Sequence, residues 1–273
     1  MLICRTVLIL PLLALTSVEG MAHTADKEKA TALAKELKSK DSAVRLKAAE
    51  RLMAMGPDAA DVAREICEAI LDPNAKVSLA AYNALEKVRP DLHKPMAKLI
   101  LDKDNKVRAA GAKELGDLSD EAKPAALFLV KFLAFTAVQD AQTGGPRLSK
   151  RSFQSAAYES LQRIGLEDDE VIKQLKILAG STTKSVAHRY ASMELLIAWA
   201  EDRADRRKEL IPLIKSGLDT PGLATAHCEL AGNYGELSKE LLPQLRKHKL
   251  SSETALRDAA TKAVETIEAA QKK

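Results

Sequence analysis

A three-residue pattern recurs through the chain: an apolar residue, a small residue four positions later, and another apolar residue four positions after that. Residues at this spacing lie along one stripe of an α-helix. Seven copies begin 33, 30, 46, 34, 35 and 34 residues apart. They are Val44, Ala48, Leu52; Val77, Ala81, Leu85; Val107, Gly111, Leu115; Phe153, Ala157, Leu161; Ala187, Ala191, Leu195; Gly222, Ala226, Leu230; and Leu256, Ala260, Val264. Because this period fits two helices and two short turns, the pattern predicts an all-α fold, an α-solenoid of about seven helical hairpins.

The small residue at the centre of each copy has a physical purpose. Alanine or glycine allows a neighbouring helix to approach closely, while the flanking apolar side chains fill the space on either side. The composition agrees, since 46% of the residues are hydrophobic but only 3% are aromatic. A core of alanine, leucine, isoleucine and valine suits closely packed helices, and leucine, alanine, lysine and glutamate are strong helix formers.

The turns between the predicted helices carry proline and aspartate. A proline near the start of a second helix loses no hydrogen bond, because its nitrogen would be unpaired there anyway. An aspartate before a first helix can accept hydrogen bonds from its free N–H groups. The prolines expected to open second helices are Pro95, Pro124, Pro212 and Pro243, and the aspartates are Asp41, Asp72, Asp104 and Asp219.

Two turn sequences make the chain resemble the HEAT-repeat family, including the HEAT-like repeats of bilin lyase proteins. They are Asp-Ser-Ala-Val-Arg at 41 to 45 and Asp-Asn-Lys-Val-Arg at 104 to 108, and Leu256-Arg257 matches their last two positions. The resemblance covers about residues 25 to 269. It implies that each arginine forms a ladder with a turn aspartate of the adjacent repeat. Ser78, Gln154, His188 and Leu223 replace the arginine, so we expect the ladder to be broken in the middle of the chain.

The first 22 residues have the composition of a signal peptide. Arg5 is followed by an apolar run from Thr6 to Val18, which is shorter than the ~20 apolar residues of a membrane-spanning helix. Small residues permit cleavage after Ala22 or after Gly20. We therefore expect an exported protein, periplasmic or secreted, in which residues 23–273 form a single solenoid domain with an insertion at about 136–150. An uncleaved membrane anchor is the alternative.

Several classes of activity find no support in the sequence. The chain contains none of the common motifs of hydrolases, nucleotide-binding proteins or zinc peptidases. Its histidines fall in different repeats, so the sequence predicts no metal site and no cofactor. The three cysteines are not spaced as a zinc site or a disulfide framework. A net charge of +4, spread along the chain, does not favour binding to nucleic acid.

The region around the 46-residue interval is the first candidate for partner binding. Phe128, Phe132 and Phe135 are spaced on one helical stripe, and Phe153 opens the next repeat. The insertion between them contains Arg147 and is followed by Arg151. Insertions in repeat proteins form loops on one face, and clustered aromatic side chains make good binding anchors. The alternative is that the four rings fill a core widened by an irregular hairpin.

A series of basic residues on the predicted second helices is the other candidate. Lys98, Lys176, Lys215 and Arg246 occupy similar positions near the middle of these helices, where they could receive an acidic partner. The alternative is an ordinary solvated helix face, since exposed helix positions are commonly basic. We call these four residues the basic series.

Together these features predict an exported, non-enzymatic HEAT-repeat scaffold that mediates protein–protein interaction. Most proteins of the resembling family are binding scaffolds with unrelated partners, so the resemblance specifies a fold more closely than a partner. A bilin-lyase-like enzyme or chaperone is one alternative. A nucleic-acid-binding HEAT-like protein is another, which depends on the signal-peptide interpretation being wrong.

Overall fold

The computed structural model describes residues 15–136 and 152–272, and these residues form helices and turns with no β-strand. Short 3-10 helices cover Gly56–Val62, Ser119–Ala122 and Gly235–Leu241. The α-helices are α1 (Leu15–Glu36), α2 (Ser42–Met55), α3 (Ala63–Ala69), α4 (Ala75–Val88), α5 (Pro90–Leu101), α6 (Asn105–Asp117), α7 (Lys123–Thr136), α8 (Phe153–Ile164), α9 (Asp169–Gly180), α10 (Val186–Ala200), α11 (Ala204–Leu218), α12 (Ala224–Tyr234), α13 (Leu242–His248) and α14 (Thr254–Ala270). The predicted all-α fold class is confirmed.

The chain divides into two compact units, with the boundary between His93 and Lys94 inside α5. The even spacing of the repeats does not predict this division. In the first unit α2 packs along α4, and α1 contacts α2. In the second unit the closest helix pairs are α6 with α8, α12 with α14, and α9 with α10.

Side chains at the helix starts explain several of the helix boundaries. Asp41 and Asp104 accept hydrogen bonds from the backbone N–H of Ala43 and Lys106, as predicted. The prediction is wrong for Asp72, because Asn74 is the residue that caps α4. It is also wrong for Asp219, which follows the end of α11 instead of preceding a helix.

The predictions for the prolines are also correct for two residues and wrong for two. Pro124 and Pro243 lie in the first turn of α7 and α13, as expected. Pro95 and Pro212 lie inside α5 and α11, because these helices begin earlier, at Pro90 and Ala204.

The first unit has most of the interface that the repeat pattern predicts, but the prediction is wrong for Val44, which is exposed at the start of α2. Val77, Ala81 and Leu85 on α4 are completely buried, and so are Ala48 and Leu52 on α2. Small residues therefore lie in the closely packed part of this helix pair. Such contacts gain dispersion energy along their whole length without requiring any polar group to be buried.

A fork of hydrogen bonds closes the turn beside this interface. Arg45 donates from Nε and Nη2 to the two carboxylate oxygens of Asp72, over 2.6 and 2.9 Å. Its Nη1 also donates to the backbone oxygens of Ser39 and Lys40. This is the arginine–aspartate contact that the resemblance implies, formed between consecutive repeats. Because of the Arg45 hydrogen bond, the pKa of Asp72 lies below its ordinary value.

In the second unit small residues again permit close helix contacts. A Cβ added to Gly116 on α6 would lie 2.8 Å from Oγ of Ser160 on α8. A Cβ on Gly232 of α12 would lie 3.1 Å from Cα of Ala263 on α14. Gly111, the predicted central residue of its copy, instead approaches α5, where the carbonyl oxygen of Pro95 would be 2.5 Å from an added Cβ.

The predicted register is shifted by one position in the fifth and sixth copies. Ala191 and Ala226 are only half-buried. The residues one position later, Ser192 and His227, are buried instead. The most buried stripe of α10 is therefore His188, Ser192 and Leu196, and on α12 Leu223, His227 and Ala231 are buried. Polar side chains thus occupy positions where the apolar pattern led us to place alanine.

The N-terminal helix α1 runs from Leu15 to Glu36 and so includes the end of the predicted signal peptide. It is continuous through Gly20 and Ala22, the two predicted cleavage positions. Most of the predicted apolar run lies outside the described residues.

Candidate functional site

A cavity of about 190 Å³ lies between α10 and α12 in the second unit. Helix α10 contributes four lining residues and α12 contributes five. We call this cavity the α10–α12 groove. It is lined by Tyr190, Met193, Glu194 and Ile197 of α10, and by Ala226, His227, Glu229, Leu230 and Asn233 of α12.

The groove has an apolar floor and a polar rim. Met193 and Leu230 are buried, and Ile197 is half-buried beside them. On the α12 side Ala226 presents only a methyl group, which leaves space that a larger side chain would fill. Because the volume matches about six water molecules at ~30 Å³ each, the groove has room for one large apolar side chain.

The rim of the groove is acidic. Glu194 and Glu229 are exposed, and no lysine or arginine is among the lining residues. Neither carboxylate forms an ion pair with another described residue. An apolar depression between two unpaired carboxylates is therefore present in a chain whose net charge is +4.

His227 is held in one orientation beneath the groove. Its Nδ1 lies 3.0 Å from the backbone oxygen of Leu223. Since a carbonyl oxygen only accepts hydrogen bonds, Nδ1 carries the proton in this contact. Burial lowers the pKa of His227 below its ordinary value of 6.5. The imidazole is therefore neutral at pH 7, and the charge of the groove comes from the two glutamates.

Gly217 on α11 makes the room that this ring occupies. A Cβ added to Gly217 would overlap the Cδ2 and Nε2 atoms of His227. Both residues are buried, and α11 packs against α12. The imidazole position thus depends on a glycine ten residues earlier in the chain.

A buried polar cluster lies on the neighbouring helices α8 and α10. The hydroxyl of Tyr158 is 3.0 Å from Oγ of Ser192 and 3.3 Å from Nδ1 of His188. It also donates to the backbone oxygen of His188. Burial raises the pKa of Tyr158 well above its ordinary value, so the phenol stays protonated and serves as a hydrogen-bond donor.

Arg189 follows His188 and links α10 to the helices on both sides. It is 4% exposed, and its Nε donates to the backbone oxygen of Ala179 over 3.0 Å. Its Nη groups donate to the hydroxyls of Thr220 and Ser216, over 3.1 and 3.5 Å. An arginine is thus present one position after His188, but it does not form the arginine–aspartate contact of the ladder. Its partners are neutral.

The basic series is mostly paired with glutamates. Lys98 forms an ion pair with Glu114, Lys176 with Glu209, and Arg246 with Glu268. Lys176 also lies over the ring of Trp199, 4.7 Å from its centroid. Lys215 is exposed and has no ion pair within the described residues. Three of the four positive charges are thus balanced by neighbouring helices, which agrees with the solvated-face alternative.

The four phenylalanines divide into a buried group and one exposed ring. Phe128 and Phe132 are stacked with 5.6 Å between their centroids, and both are buried with Phe153. The Arg108 guanidinium carbon lies 3.6 Å from the centroid of Phe153. Only Phe135 is accessible, with 73% of its surface exposed. Phe128 and Phe132 therefore stabilise the core, while Phe135 keeps the predicted position for contacting a partner.

The two remaining predicted site residues, Arg147 and Arg151, lie outside the described residues, as do residues 137 to 150 of the insertion. Phe135 is the second-to-last residue of α7, so the chain enters the insertion directly after it.

Sequence reasoning did not identify the α10–α12 groove. Tyr190, Met193 and Ile197 share one side of α10, but this spacing alone does not reveal a cavity, because the cavity depends on how α10 and α12 pack. The apolar, small, apolar pattern describes only the buried stripe, so it directs attention away from the groove.

The described residues contain no group of three or more histidine, cysteine, aspartate or glutamate side chains that could hold a metal ion. Cys67 and Cys228 are free and buried, and burial raises the pKa of Cys228 to about 12. Its thiol is therefore protonated at neutral pH. Among the described helices, none is both long and apolar enough to cross a membrane.

No family model matches the chain, and no curated protein matches it either. Two crystal structures of engineered proteins from the Northeast Structural Genomics Consortium are similar to it at 19% sequence identity. The first covers 89% of this chain and 97% of its own, with a TM-score of 0.25. The second covers 88% and 98%, with a TM-score of 0.23.

Proposed function

We propose that this chain is an exported, non-enzymatic HEAT-like scaffold that binds a protein partner, and that the α10–α12 groove is a docking site on it. The groove is the observation that carries the proposal. It combines an apolar floor at Met193 and Leu230 with an exposed polar rim, which is the composition of a protein-binding hot spot. In the same unit α6 packs closely against α8, and α12 packs closely against α14.

The HEAT-like arrangement, a solenoid of paired helices, is supported by two features. Small residues lie at the closest helix contacts, as at Gly116 and Gly232. Arg45 and Asp72 make the contact between consecutive repeats that the resemblance implies. In repeat proteins of this kind each unit contacts its neighbours, and binding surfaces are formed from corresponding positions of successive units. The α10–α12 groove lies between the first helices of two successive units.

Site-specific photocrosslinking tests the docking site. Benzoylphenylalanine replaces Asn233, which is exposed on the rim, and the control places it at Ala198, which is exposed on α10 but does not line the groove. After irradiation of cells that naturally make the protein, we expect a crosslinked product from position 233 and none from 198. Equal products at both positions, or none at either, would contradict docking in the groove.

Export is a separate part of the proposal, supported by Arg5 and the apolar run that ends at Val18. The expected mature chain begins at residue 21 or 23. Intact-mass measurement on protein purified from its native cells tests this. Full-length protein in the cytosolic fraction would contradict export and would favour the lyase-like or nucleic-acid-binding alternatives.

Phe135 provides a second candidate contact surface for the same function, together with Arg147 and Arg151. The supporting observation is its 73% exposure immediately before the insertion. Deleting residues 139 to 148 leaves the described helices intact, so we expect little change in stability. If partner binding survives both this deletion and Phe135→Ser, the surface does not bind the partner.

A further inference from the structure

We infer that the α10–α12 groove binds a basic peptide segment, in which one leucine- or methionine-sized side chain enters the groove and flanking lysines or arginines contact Glu194 and Glu229. This inference rests on the proposed function, since it names the chemistry of the partner at the same site. The basic series suggests an acidic partner. The two glutamates of the groove instead attract a basic segment and repel an acidic one.

The size of the groove limits the anchor to one large side chain. Its volume of about 190 Å³ accommodates a leucine or methionine, and its floor offers only apolar contacts from Met193, Ile197 and Leu230. A polar anchor in contact with these three side chains would lose its hydration without gaining a partner from them, which costs about 1–3 kcal/mol in proteins. The anchor is therefore apolar.

The charge of the rim determines the residues beside the anchor. Glu194 lies on α10 and Glu229 on α12, so the two carboxylates stand on opposite sides of the groove. His227 is neutral, and no basic side chain lines the cavity. By contrast, the glutamates facing Lys98, Lys176 and Arg246 are already paired. Glu194 and Glu229 thus remain available to a basic ligand, which favours association by charge complementarity.

Two variants test the charge of the rim and the volume of the groove without removing a buried group. Glu194→Gln with Glu229→Gln removes the rim charge, and the matched control is Glu201→Gln with Glu240→Gln, two exposed acids without an ion pair in the described residues. Ala226→Leu fills the cavity, and its control is Ala198→Leu on the exposed side of α10. Circular dichroism and thermal unfolding verify that each variant folds.

The probe is a fluorescein-labelled peptide with a central leucine, two lysines on each side and serine elsewhere, and fluorescence anisotropy measures its affinity. We expect about three- to tenfold weaker binding by the Glu194→Gln, Glu229→Gln variant, and unchanged binding by its control. Ala226→Leu should weaken binding at least tenfold, while Ala198→Leu should not. Replacing the lysines by glutamate, or the leucine by serine, should abolish binding.

Each other outcome overturns the inference in a distinguishable way. Equal loss in the charge control means that the peptide responds to overall charge instead of to the groove. Preference for the glutamate peptide means that the groove binds a different class of segment. If no peptide binds but position 233 still crosslinks, the basic-segment inference is wrong while the proposed function stands. If the chain forms dimers that Glu194→Gln with Glu229→Gln dissociates in sedimentation, the occupant is a second copy.

Discussion

Arg45 in the first unit and Arg189 in the second have similar positions in their repeats but different surroundings. Each lies in the first turns of its helix and donates to backbone oxygens that precede the helix, Arg45 to Ser39 and Lys40 in the turn after α1 and Arg189 to Ala179 near the end of α9. Arg45 then reaches a carboxylate, Asp72, whereas Arg189 reaches two hydroxyls. The first is partly accessible to solvent, and the second is buried.

This difference extends to the cores of the two units. All the buried polar side chains of the described residues lie between Thr136 and Ser238, and none lies in the first unit. The apolar helices α2 and α4 pack directly against each other. Helices α10 and α12, which carry buried polar residues, instead leave a groove between them. The comparison teaches that one repeat pattern supports both a close apolar interface and a polar interior that leaves space for a ligand.

The largest expected effect concerns the buried arginine. Arg189→Ala leaves the Ala179 oxygen and two hydroxyls without their donor, and it also removes a packed side chain. We expect a loss of about 3 kcal/mol in the free energy of unfolding. Arg45→Ala should cost less, because water can replace the lost contacts at that more accessible position. Urea denaturation of both variants measures the difference, and equal losses would remove the distinction between the two arginines.

The second prediction compares small residues at corresponding positions. Ala81 is completely buried in the first unit, and Ala191 is half-buried in the second. Ala81→Leu should destabilise the protein by about 1–3 kcal/mol through overpacking, while Ala191→Leu should cost less than about 1 kcal/mol. The melting temperatures of the two variants test this. If Ala191→Leu is as damaging as Ala81→Leu, α10 has the register that the sequence pattern predicts.

A smaller effect is expected on the pH dependence of the free energy of unfolding. Burial lowers the folded-state pKa of His227, so the unfolded chain binds a proton below about pH 6.5 that the folded chain does not. Stability therefore falls as the pH decreases from 6.5 toward the folded pKa, by about 1.4 kcal/mol for each unit of pKa difference. His227→Gln should make this decrease smaller in urea denaturation between pH 7.5 and 5. His93→Gln should act in the same direction, since burial lowers the pKa of His93 as well.

Asp72 contributes to the stability of the fold in a different pH range. Its folded pKa is lowered, chiefly by the hydrogen bond from Arg45, so its contribution is present above its ordinary value of 3.8 and is lost as the pH falls through the folded value. Asp72→Asn should therefore change stability at pH 7 and have little effect at the acid end. A stability difference from the wild type that persists below that window would contradict this assignment.

The sequence predicted the helices and many of the buried positions, because apolar spacing directly reflects burial on a helix. Val77, Ala81 and Leu85 are buried as expected. It failed at Ala191 and Ala226, where a buried serine and histidine take the core position. Polar residues such as Ser192 and His227 carry no apolar signal, and their burial depends on hydrogen bonds, from Ser192 to Tyr158 of α8 and from His227 to the backbone oxygen of Leu223. The α10–α12 groove was missed for the same reason, since a cavity depends on how two helices pack.

The contact between Gly217 and His227 also constrains how this part of the protein can change during evolution. Alanine at position 217 would overlap the imidazole, so the histidine is tolerated only in a chain that already has glycine there. Reversion of the glycine would have to follow loss of the histidine. Substitutions at these two positions are therefore accessible in one order and not in the other. Homologues that have a larger residue at position 217 should have a smaller one at position 227.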